Sequence, residues 1–343
     1  MPLETSPFRP AWWLPGAHAQ TLWPYLCRRL PSVRYRRERL ELPDGDFLDL
    51  DWHAAAPVAG PLVLVLHGLE GCSRSGYARG LVAAMARHGW RGVVMNFRGR
   101  SGEPNRLPRS YNAGDTRDLA HVVEILRARE PHAPLACVGY SLGGNMLLKW
   151  LGESGSHDRL RAAVAVSVPF LLEPLARRMQ RGLSRAYLAY FMRLLRRGYR
   201  HKFTTRGLLP PYPLDELHRL RDFFAFDERI TAPLHGYAGI YDYYRRASCR
   251  QYLPGIRTPT LILHAADDPF MVPEVVPAPH ELPETVTLEL SPNGGHVGFV
   301  SGPWPWHAEY WLERRIPAFL AQWLPTSDPT TEQERETAPV AAD

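Results

Sequence analysis

Several features of membrane, secreted and metal-binding proteins are missing from this sequence of 343 residues. No stretch of about 18 apolar residues occurs, so a transmembrane helix is not expected. Positions 1–5 lack the basic and apolar regions of a secretory signal. The four cysteines, Cys27, Cys72, Cys137 and Cys249, show no C-x-x-C spacing. We therefore expect a cytoplasmic protein with free thiols and with no metal site.

The sequence also lacks the loops that bind nucleotides. Residues 98–102 resemble a phosphate loop, but they have no Lys-Ser/Thr ending and follow no G-x-G-x-x-G motif. The formal net charge of +6 is concentrated in residues 171–206, where nine arginines and one lysine accompany a single glutamate. That segment carries +9, so the rest of the chain carries −3. We therefore expect neither a nucleotide cofactor nor a nucleic-acid partner.

What the sequence does contain is an alternation of strand and helix patterns. The composition, 45% hydrophobic and 22% charged, is that of an ordinary globular protein. Residues 39–42 and 47–52 alternate around Asp44-Gly45, which predicts a hairpin. Further strands are predicted at residues 61–66, 92–97, 135–138, 162–168, 260–264 and 286–290, and helices at 77–88, after a cap at Asp115, after residue 141, and at 307–323. This order predicts an α/β fold with a mostly parallel central sheet flanked by helices.

Two segments depart from this alternation. Residues 170–250 have helical and aromatic patterns, so we expect a helical lid inserted in a single domain of residues 1–325. Residues 326–343 are polar and without aromatics, which predicts a disordered tail. Apolar residues recur in the insertion at spacings of three and four, as on one helix face: Leu172, Leu175, Met179, Leu183, Tyr187, Phe191 and Leu194. The arginines between them form either a solvated face or a contact with an anionic membrane surface or an acidic partner.

A G-x-S-x-G pentapeptide at residues 139–143 lies between a buried-strand pattern and the start of a helix. A serine at such a junction occupies a tight, strained turn that presents its hydroxyl, and a Cβ on either glycine would collide with neighbouring backbone. The N-terminus of the following helix favours negative charge at the same place. Ser141 is therefore the predicted nucleophile.

A serine hydroxyl needs an imidazole to take its proton and a carboxylate to orient that imidazole. Asp267 and Asp268 follow the predicted strand at 260–264, and His296 follows the strand at 286–290 in a glycine-containing loop. We predict His296 as general base and then acid. Asp268, directly before a proline, is preferred as the orienting acid. Asp267 is the rival candidate for that role, and its other possible role is to cap the turn.

Acyl transfer also needs donors for the developing oxyanion. Residues 67–71, His-Gly-Leu-Glu-Gly, follow the predicted strand at 61–66, and the backbone N–H groups of Leu69 and Leu142 are the candidates. We expect His67 to support that loop. His264, within a strand pattern, and His307, at a predicted helix start, are expected to be structural.

Several stretches resemble the YheT-like branch of the α/β-hydrolases, which is related to the abhydrolase-domain proteins 1 and 3. They are residues 8–14 (FRPAWWL), 18–21 (HAQT), 67–71 and 96–99 (NFRG), and a pattern from Asp227 through Asp242 to Pro259. The resemblance covers about residues 8–324. It implies a carboxylic ester hydrolase with Ser141, Asp268 and His296 as its triad. Membrane-anchored relatives carry an amino-terminal hydrophobic span that is missing here, so membrane residence is not transferred.

Together these patterns predict a cofactor-free serine esterase acting on small-molecule or lipid-like esters with an apolar acyl chain. Phe191 and Leu194 are predicted to line the substrate pocket. One alternative is acyl transfer to an alcohol, which uses the same acyl-enzyme and differs only in the acceptor. Another is a non-catalytic binding protein of the same fold, which would be expected to lack a member of the triad, and none is missing.

Overall fold

The computed structural model describes residues 3–56, 59–155 and 159–325, so the tail predicted at 326–343 lies outside it. Within the described residues nine strands form one sheet: β1 (Leu3–Thr5), β2 (Tyr35–Glu41), β3 (Phe47–His53), β4 (Leu62–Leu66), β5 (Arg91–Asn96), β6 (Leu135–Tyr140), β7 (Ala162–Val166), β8 (Thr260–Ala265) and β9 (Val286–Ser291). Their order across the sheet is β1-β9-β8-β7-β6-β4-β5-β3-β2. β3 is antiparallel to β2 and β5, and the other pairs are parallel. The mostly parallel sheet predicted from the sequence is confirmed.

The central strands are buried on both faces, as expected where helices cover a parallel sheet. Every residue of β4 is buried, and alternate side chains enter different cores. Leu64 packs with Leu119 and Leu147 on one face, whereas Val65 packs with residues such as Leu81 on the other. The period of two therefore divides one apolar run between two hydrophobic cores.

Helices cover both faces of this sheet. Those outside the insertion are α1 (Ala17–Leu26), α2 (Gly76–Arg87), α3 (Arg117–Arg129), α4 (Leu142–Ser154) and, at the end of the described chain, a helix at Leu312–Leu320. The cap predicted at Asp115 is wrong, because α3 begins after Thr116. The Asp115 carboxylate is bound instead by the guanidinium groups of Arg109 and Arg117.

The predicted start of the last helix, at His307, is also wrong. Residues Pro305–His307 form a short 3-10 turn, and Glu309–Tyr310 (β11) pairs with Val300–Ser301 (β10) in a separate two-stranded sheet. The helix proper starts only at Leu312. His307 lies exposed in the 3-10 turn.

The insertion lies between β7 and β8 and is helical, as predicted. It contains α5 (Leu172–Met179), α6 (Ser184–Arg206), α7 (Phe223–Phe226), a π-helical turn (Asp227–Thr231), α8 (Ala232–Leu234) and α9 (Ile240–Ala247), with 3-10 turns at Glu216–Arg219 and Arg250–Gly255. The helix at Leu312–Leu320 is therefore α10. Two further 3-10 turns, Pro273–Val275 and Pro279–Glu281, lie between β8 and β9.

The apolar stripe predicted for one helix of the insertion is divided between two helices. Gly182 has φ 53°, in the left-handed region that favours glycine, and this turn separates α5 from α6. Leu183, predicted within the stripe, is consequently exposed to solvent. Among the helices of residues 3–56, 59–155 and 159–325, none combines the length and the hydropathy of a membrane span.

Candidate active site

Ser141 lies between β6 and α4 in a strained backbone conformation. Its φ of 52° and ψ of −117° are unfavourable for a residue with a Cβ, and such strain persists only where the surroundings enforce it. The Ser141 N–H donates to the Val166 carbonyl at 2.8 Å, and its own carbonyl accepts from the Asn145 N–H at 3.0 Å. These bonds hold the turn at the carboxyl end of the sheet.

Both glycines of the pentapeptide are required by close approach of the backbone. A Cβ on Gly139 would lie 2.5 Å from the Gly143 carbonyl oxygen. A Cβ on Gly143 would lie 2.6 Å from the His67 carbonyl oxygen. The collision expected from the sequence is thus present at both positions, and it fixes the Ser141 turn against the loop that begins at His67.

The structure brings Ser141, His296 and Asp268 into one hydrogen-bonded chain. His296 Nε2 lies 3.0 Å from Ser141 Oγ, and His296 Nδ1 lies 2.7 Å from Asp268 Oδ2. Asp268 Oδ1 accepts from the Phe270 N–H at 2.9 Å, and the Phe270 ring stacks on the imidazole at 4.1 Å between centroids. The backbone N–H of His296 donates to Thr21 Oγ1 of α1 at 2.9 Å. Both polar ends of the imidazole and one of its faces are therefore positioned.

The two adjacent carboxylates have different partners. Asp268 contacts the imidazole of His296, whereas Asp267 Oδ1 accepts from the Gly295 N–H at 2.9 Å. Burial raises the pKa of Asp267 above its ordinary value. Of the two acids that the sequence left open, Asp268 thus lies at the histidine and Asp267 braces the loop that carries it.

The loop at residues 67–71 lies directly beside Ser141. A Cβ built on Gly68 would be 3.3 Å from the Ser141 Cβ. The Gly68 N–H donates to the Tyr77 hydroxyl at 2.8 Å, and the Glu70 N–H donates to the Tyr111 hydroxyl at 2.9 Å. Between these occupied donors, the Leu69 N–H has no acceptor among the described residues. The Leu142 N–H, at the start of α4, likewise has none there.

Glu70 fixes the far side of this loop. It has φ 58°, a strained value for a residue with a side chain. The Tyr111 hydroxyl donates to Glu70 Oε1 at 2.9 Å, and Arg100 donates to Glu70 Oε2 at 2.9 Å and to the Glu70 carbonyl at 2.6 Å. Burial raises the pKa of Tyr111 well above its ordinary value, so its hydroxyl keeps the proton that it donates. Sequence reasoning missed Tyr77, Tyr111 and Arg100, because no local pattern links them to the loop.

The other histidines considered from the sequence have no contact with Ser141. His67 is buried, with Nε2 accepting from the Phe97 N–H at 3.1 Å and Nδ1 donating to the Gly68 carbonyl at 2.8 Å. Burial lowers the pKa of His67 to about 3, so the ring is neutral and supports the loop as expected. His264 is buried beside Phe170, at 5.6 Å between ring centroids, and burial lowers its pKa to about 4.

Two cavities meet at Ser141. The first, about 540 Å³, runs under α5, α7 and the loop at residues 98–113. The second, about 690 Å³, lies between α1 and α6 and includes His296 in its wall. Phe191 and Leu194, which the sequence predicts to line a substrate pocket, line both cavities. Both volumes lie in the range typical of small-molecule sites.

The described residues contain no group of three or more His, Cys, Asp and Glu side chains arranged to hold a metal ion. The chemistry that the arrangement can perform without one is nucleophilic attack by Ser141, with proton transfer through His296 and two free N–H donors beside the attacking oxygen.

Comparisons with known proteins identify the family and the fold of the chain. Residues 61–303 match the family model described as alpha/beta hydrolase fold. The chain is 45% identical over 323 residues to the esterase candidate YheT of Escherichia coli (strain K12), covering 94% of this chain and 95% of that protein. It is 32% identical to phospholipase ABHD3 of Mus musculus, covering 93% and 79%. The solved Pyrococcus furiosus esterase Pf2001 superposes with a TM-score of 0.55 at 18% identity, covering 85% of this chain and 91% of that one, which shows the shared fold.

Proposed function

The chain belongs to the α/β hydrolase fold family and is an ester hydrolase of the esterase and lipase type, and from this premise we propose that it cleaves carboxylic esters through a Ser141–His296–Asp268 triad. The observation that carries the proposal is the chain of hydrogen bonds, 3.0 Å from Ser141 to His296 and 2.7 Å from His296 to Asp268. The order Ser, Asp, His along the sequence is that of this fold.

In the proposed first step, Ser141 Oγ attacks the ester carbonyl carbon while His296 Nε2 takes the hydroxyl proton. The Asp268 carboxylate stabilises the imidazolium that forms. The carbonyl oxygen becomes an oxyanion and accepts hydrogen bonds from the Leu69 and Leu142 N–H groups, at the positive end of α4. When this intermediate collapses, the bond between the carbonyl carbon and the alkoxide breaks. His296 gives its proton to the departing alkoxide, and the acyl group stays on Ser141.

In the second step, His296 takes a proton from water, the hydroxide adds to the acyl carbon, and collapse returns the proton to Ser141. The product is the free carboxylic acid. Transfer to an alcohol would differ only in the nucleophile of this step, so product analysis with added ethanol separates the two outcomes.

The position of His296 also divides the substrate between the two cavities. The leaving alkoxide must lie at His296 Nε2 to be protonated, and His296 lines only the cavity of about 690 Å³. The alcohol portion therefore occupies that cavity, and the acyl chain occupies the one of about 540 Å³ beneath α5 and α7. The helices of the insertion form walls of both cavities, which supports the lid role expected for residues 170–250.

Labelling with a fluorophosphonate tests the nucleophile directly. We expect one labelled site in the folded protein, and peptide mapping should place it on Ser141. A panel of p-nitrophenyl esters of graded acyl length, with a second panel of graded alcohol length, then defines the substrate. Labelling at another serine, or turnover unaffected by complete labelling, would contradict the proposal.

Replacing Phe191 and Leu194 together by alanine is expected to shift the preferred acyl chain to greater length, because both side chains line the acyl cavity. Hydrolysis of a small acetate ester should remain. The measurement is kcat/KM across the acyl series. Leu188→Ala is the matched control, since Leu188 is buried on the same helix but lies in neither cavity wall.

Two tryptophan substitutions distinguish the acyl cavity from the alcohol cavity. Leu175→Trp narrows only the acyl cavity, and Ala186→Trp narrows only the alcohol cavity. Each should shorten the chain accepted in its own series. An unchanged profile in a folded Phe191/Leu194 variant removes these residues from the acyl pocket, and an exchange of effects between the tryptophan variants reverses the assignment.

Tyr111→Phe is expected to lower kcat roughly 2- to 10-fold, with a smaller change in KM. The Tyr111 hydroxyl holds Glu70 beside the Leu69 oxyanion donor, and the loss of its hydrogen bonding removes about 0.5–1.5 kcal/mol of stabilisation from that loop. Tyr199→Phe is a matched control, since its hydroxyl also accepts an N–H from one residue, Tyr212, and donates to that residue's carbonyl. Equal effects of the two variants on kcat would mean that the Tyr111 bonds are merely structural.

A further inference from the structure

Exposed apolar side chains concentrate around the mouth of the alcohol cavity. Among the described residues, twelve large apolar side chains are exposed, and six of them line this one cavity. We call these six the apolar collar: Leu22, Tyr25, Leu26, Leu30, Leu183 and Tyr190. Their exposed fractions run from 39% to 69%. Contiguous exposed apolar surface of this kind marks an interaction site.

The collar comes from two separate parts of the chain that meet across the mouth. α1 and the residues after it contribute four members, and the turn and helix at residues 183–206 contribute two. The hydroxyls of Tyr25 and Tyr190 lie 2.7 Å apart, and His18 Nδ1 lies 3.1 Å from the Tyr187 hydroxyl. These two bonds join α1 to α6 beside the mouth of the cavity.

Exposed arginines flank the collar. Arg74 lines the same cavity, Arg29 directly precedes Leu30 in the sequence, and Arg181 and Arg185 lie two residues before and two residues after Leu183. Within the described residues none of these four takes part in an ion pair, since every ion pair there involves other side chains.

The acids of the same cavity wall are neutralised. Glu70 is paired with Arg100, and Glu313 is paired with Arg28. The mouth therefore presents apolar side chains within a rim of positive charge.

We propose that the apolar collar docks on an anionic lipid surface, with its Leu and Tyr side chains at the level of the headgroups and the rim arginines on lipid phosphates. The docked mouth would open toward the lipid, so an ester could pass from the surface into the alcohol cavity at Ser141. This route rests on the proposed ester hydrolysis, whereas the docking itself does not. A second copy of this chain is a poor occupant, because a symmetric contact would place positive rims against each other.

Co-sedimentation of the full chain with vesicles tests the docking. We expect binding to vesicles of equal parts phosphatidylcholine and phosphatidylglycerol, little binding to phosphatidylcholine alone, and weaker binding as salt rises. Leu26→Gln combined with Leu183→Gln should weaken binding roughly tenfold or more, since two exposed leucines no longer insert. The matched control is Leu209→Gln, which alters a side chain 91% exposed and outside both cavities.

The charge variants separate docking from catalysis. Arg181→Glu with Arg185→Glu should weaken vesicle binding roughly tenfold or more and leave turnover of a soluble acetate ester unchanged. Arg229→Glu, an exposed arginine elsewhere in the insertion, is the control for charge alone. Circular dichroism of each variant checks the fold.

Equal binding to neutral and anionic vesicles, or equal loss in the collar and control variants, would overturn the proposal. So would a dimer in sedimentation velocity that Leu26→Gln dissociates, because the occupant would then be a second copy. Vesicle binding by a protein with no esterase activity would leave the docking in place and refute the proposed function instead.

Discussion

Ser141→Ala is expected to lower kcat/KM for a soluble ester by roughly 10⁴-fold or more while the protein remains folded. The loss follows because Ser141 Oγ is the proposed nucleophile, 3.0 Å from His296 Nε2. The fold should tolerate alanine, since serine already places a Cβ in the strained conformation at φ 52°. Steady-state kinetics with a p-nitrophenyl ester measure the loss, and thermal unfolding checks the fold.

His296→Ala should cost a similar factor, because the hydroxyl then has no base. The double variant should be little worse than either single one, since members of a triad act as a unit and their effects are not additive. Residual activity in all three would come from the oxyanion donors and substrate binding alone. Normal turnover by a folded Ser141→Ala protein would end the proposal.

The sequence predicts best those features that depend on neighbouring residues. The β4 strand is a continuous run of Leu and Val, and the hairpin turn at Asp44-Gly45 joins β2 and β3 as predicted, with Gly45 at φ 82°. The strained turn at Ser141 is also local, because the flanking strand, the two glycines and the helix start are all contiguous. Such signals are complete within a short window of sequence.

Several features that arise from distant contacts have no signal in the sequence and could not be predicted. Tyr111 and Arg100 reach Glu70 across 41 and 30 residues, and no spacing rule connects them. Asp115 resembles a helix cap in sequence, but two guanidinium groups bind its carboxylate in the fold. The second cavity exists only because α1 meets α6, so its apolar mouth was not visible as a pattern.

The neighbouring carboxylates Asp267 and Asp268 give the clearest case in which structure distinguishes alternatives of similar sequence. Asp268 Oδ2 lies 2.7 Å from His296 Nδ1, where a carboxylate holds the N–H of the imidazole and so selects the tautomer whose Nε2 accepts the serine proton. Asp267 instead accepts the Gly295 N–H at 2.9 Å. A single oxygen suffices for that bond, and an amide supplies one.

Asp268→Asn is therefore expected to lower kcat by roughly 10³- to 10⁴-fold, because the amide neither stabilises the imidazolium nor enforces the productive tautomer. Asp267→Asn should change kcat by only a few-fold, since the asparagine carbonyl can still accept from Gly295. The comparison is internally matched, as both changes replace a carboxylate by its isosteric amide at adjacent positions. Parallel kcat measurements on one p-nitrophenyl ester, with unfolding curves for both variants, decide the ranking. A larger loss for the Asp267 variant would assign the orienting role to the other carboxylate, and equal small losses would mean that neither acid orients His296 during turnover.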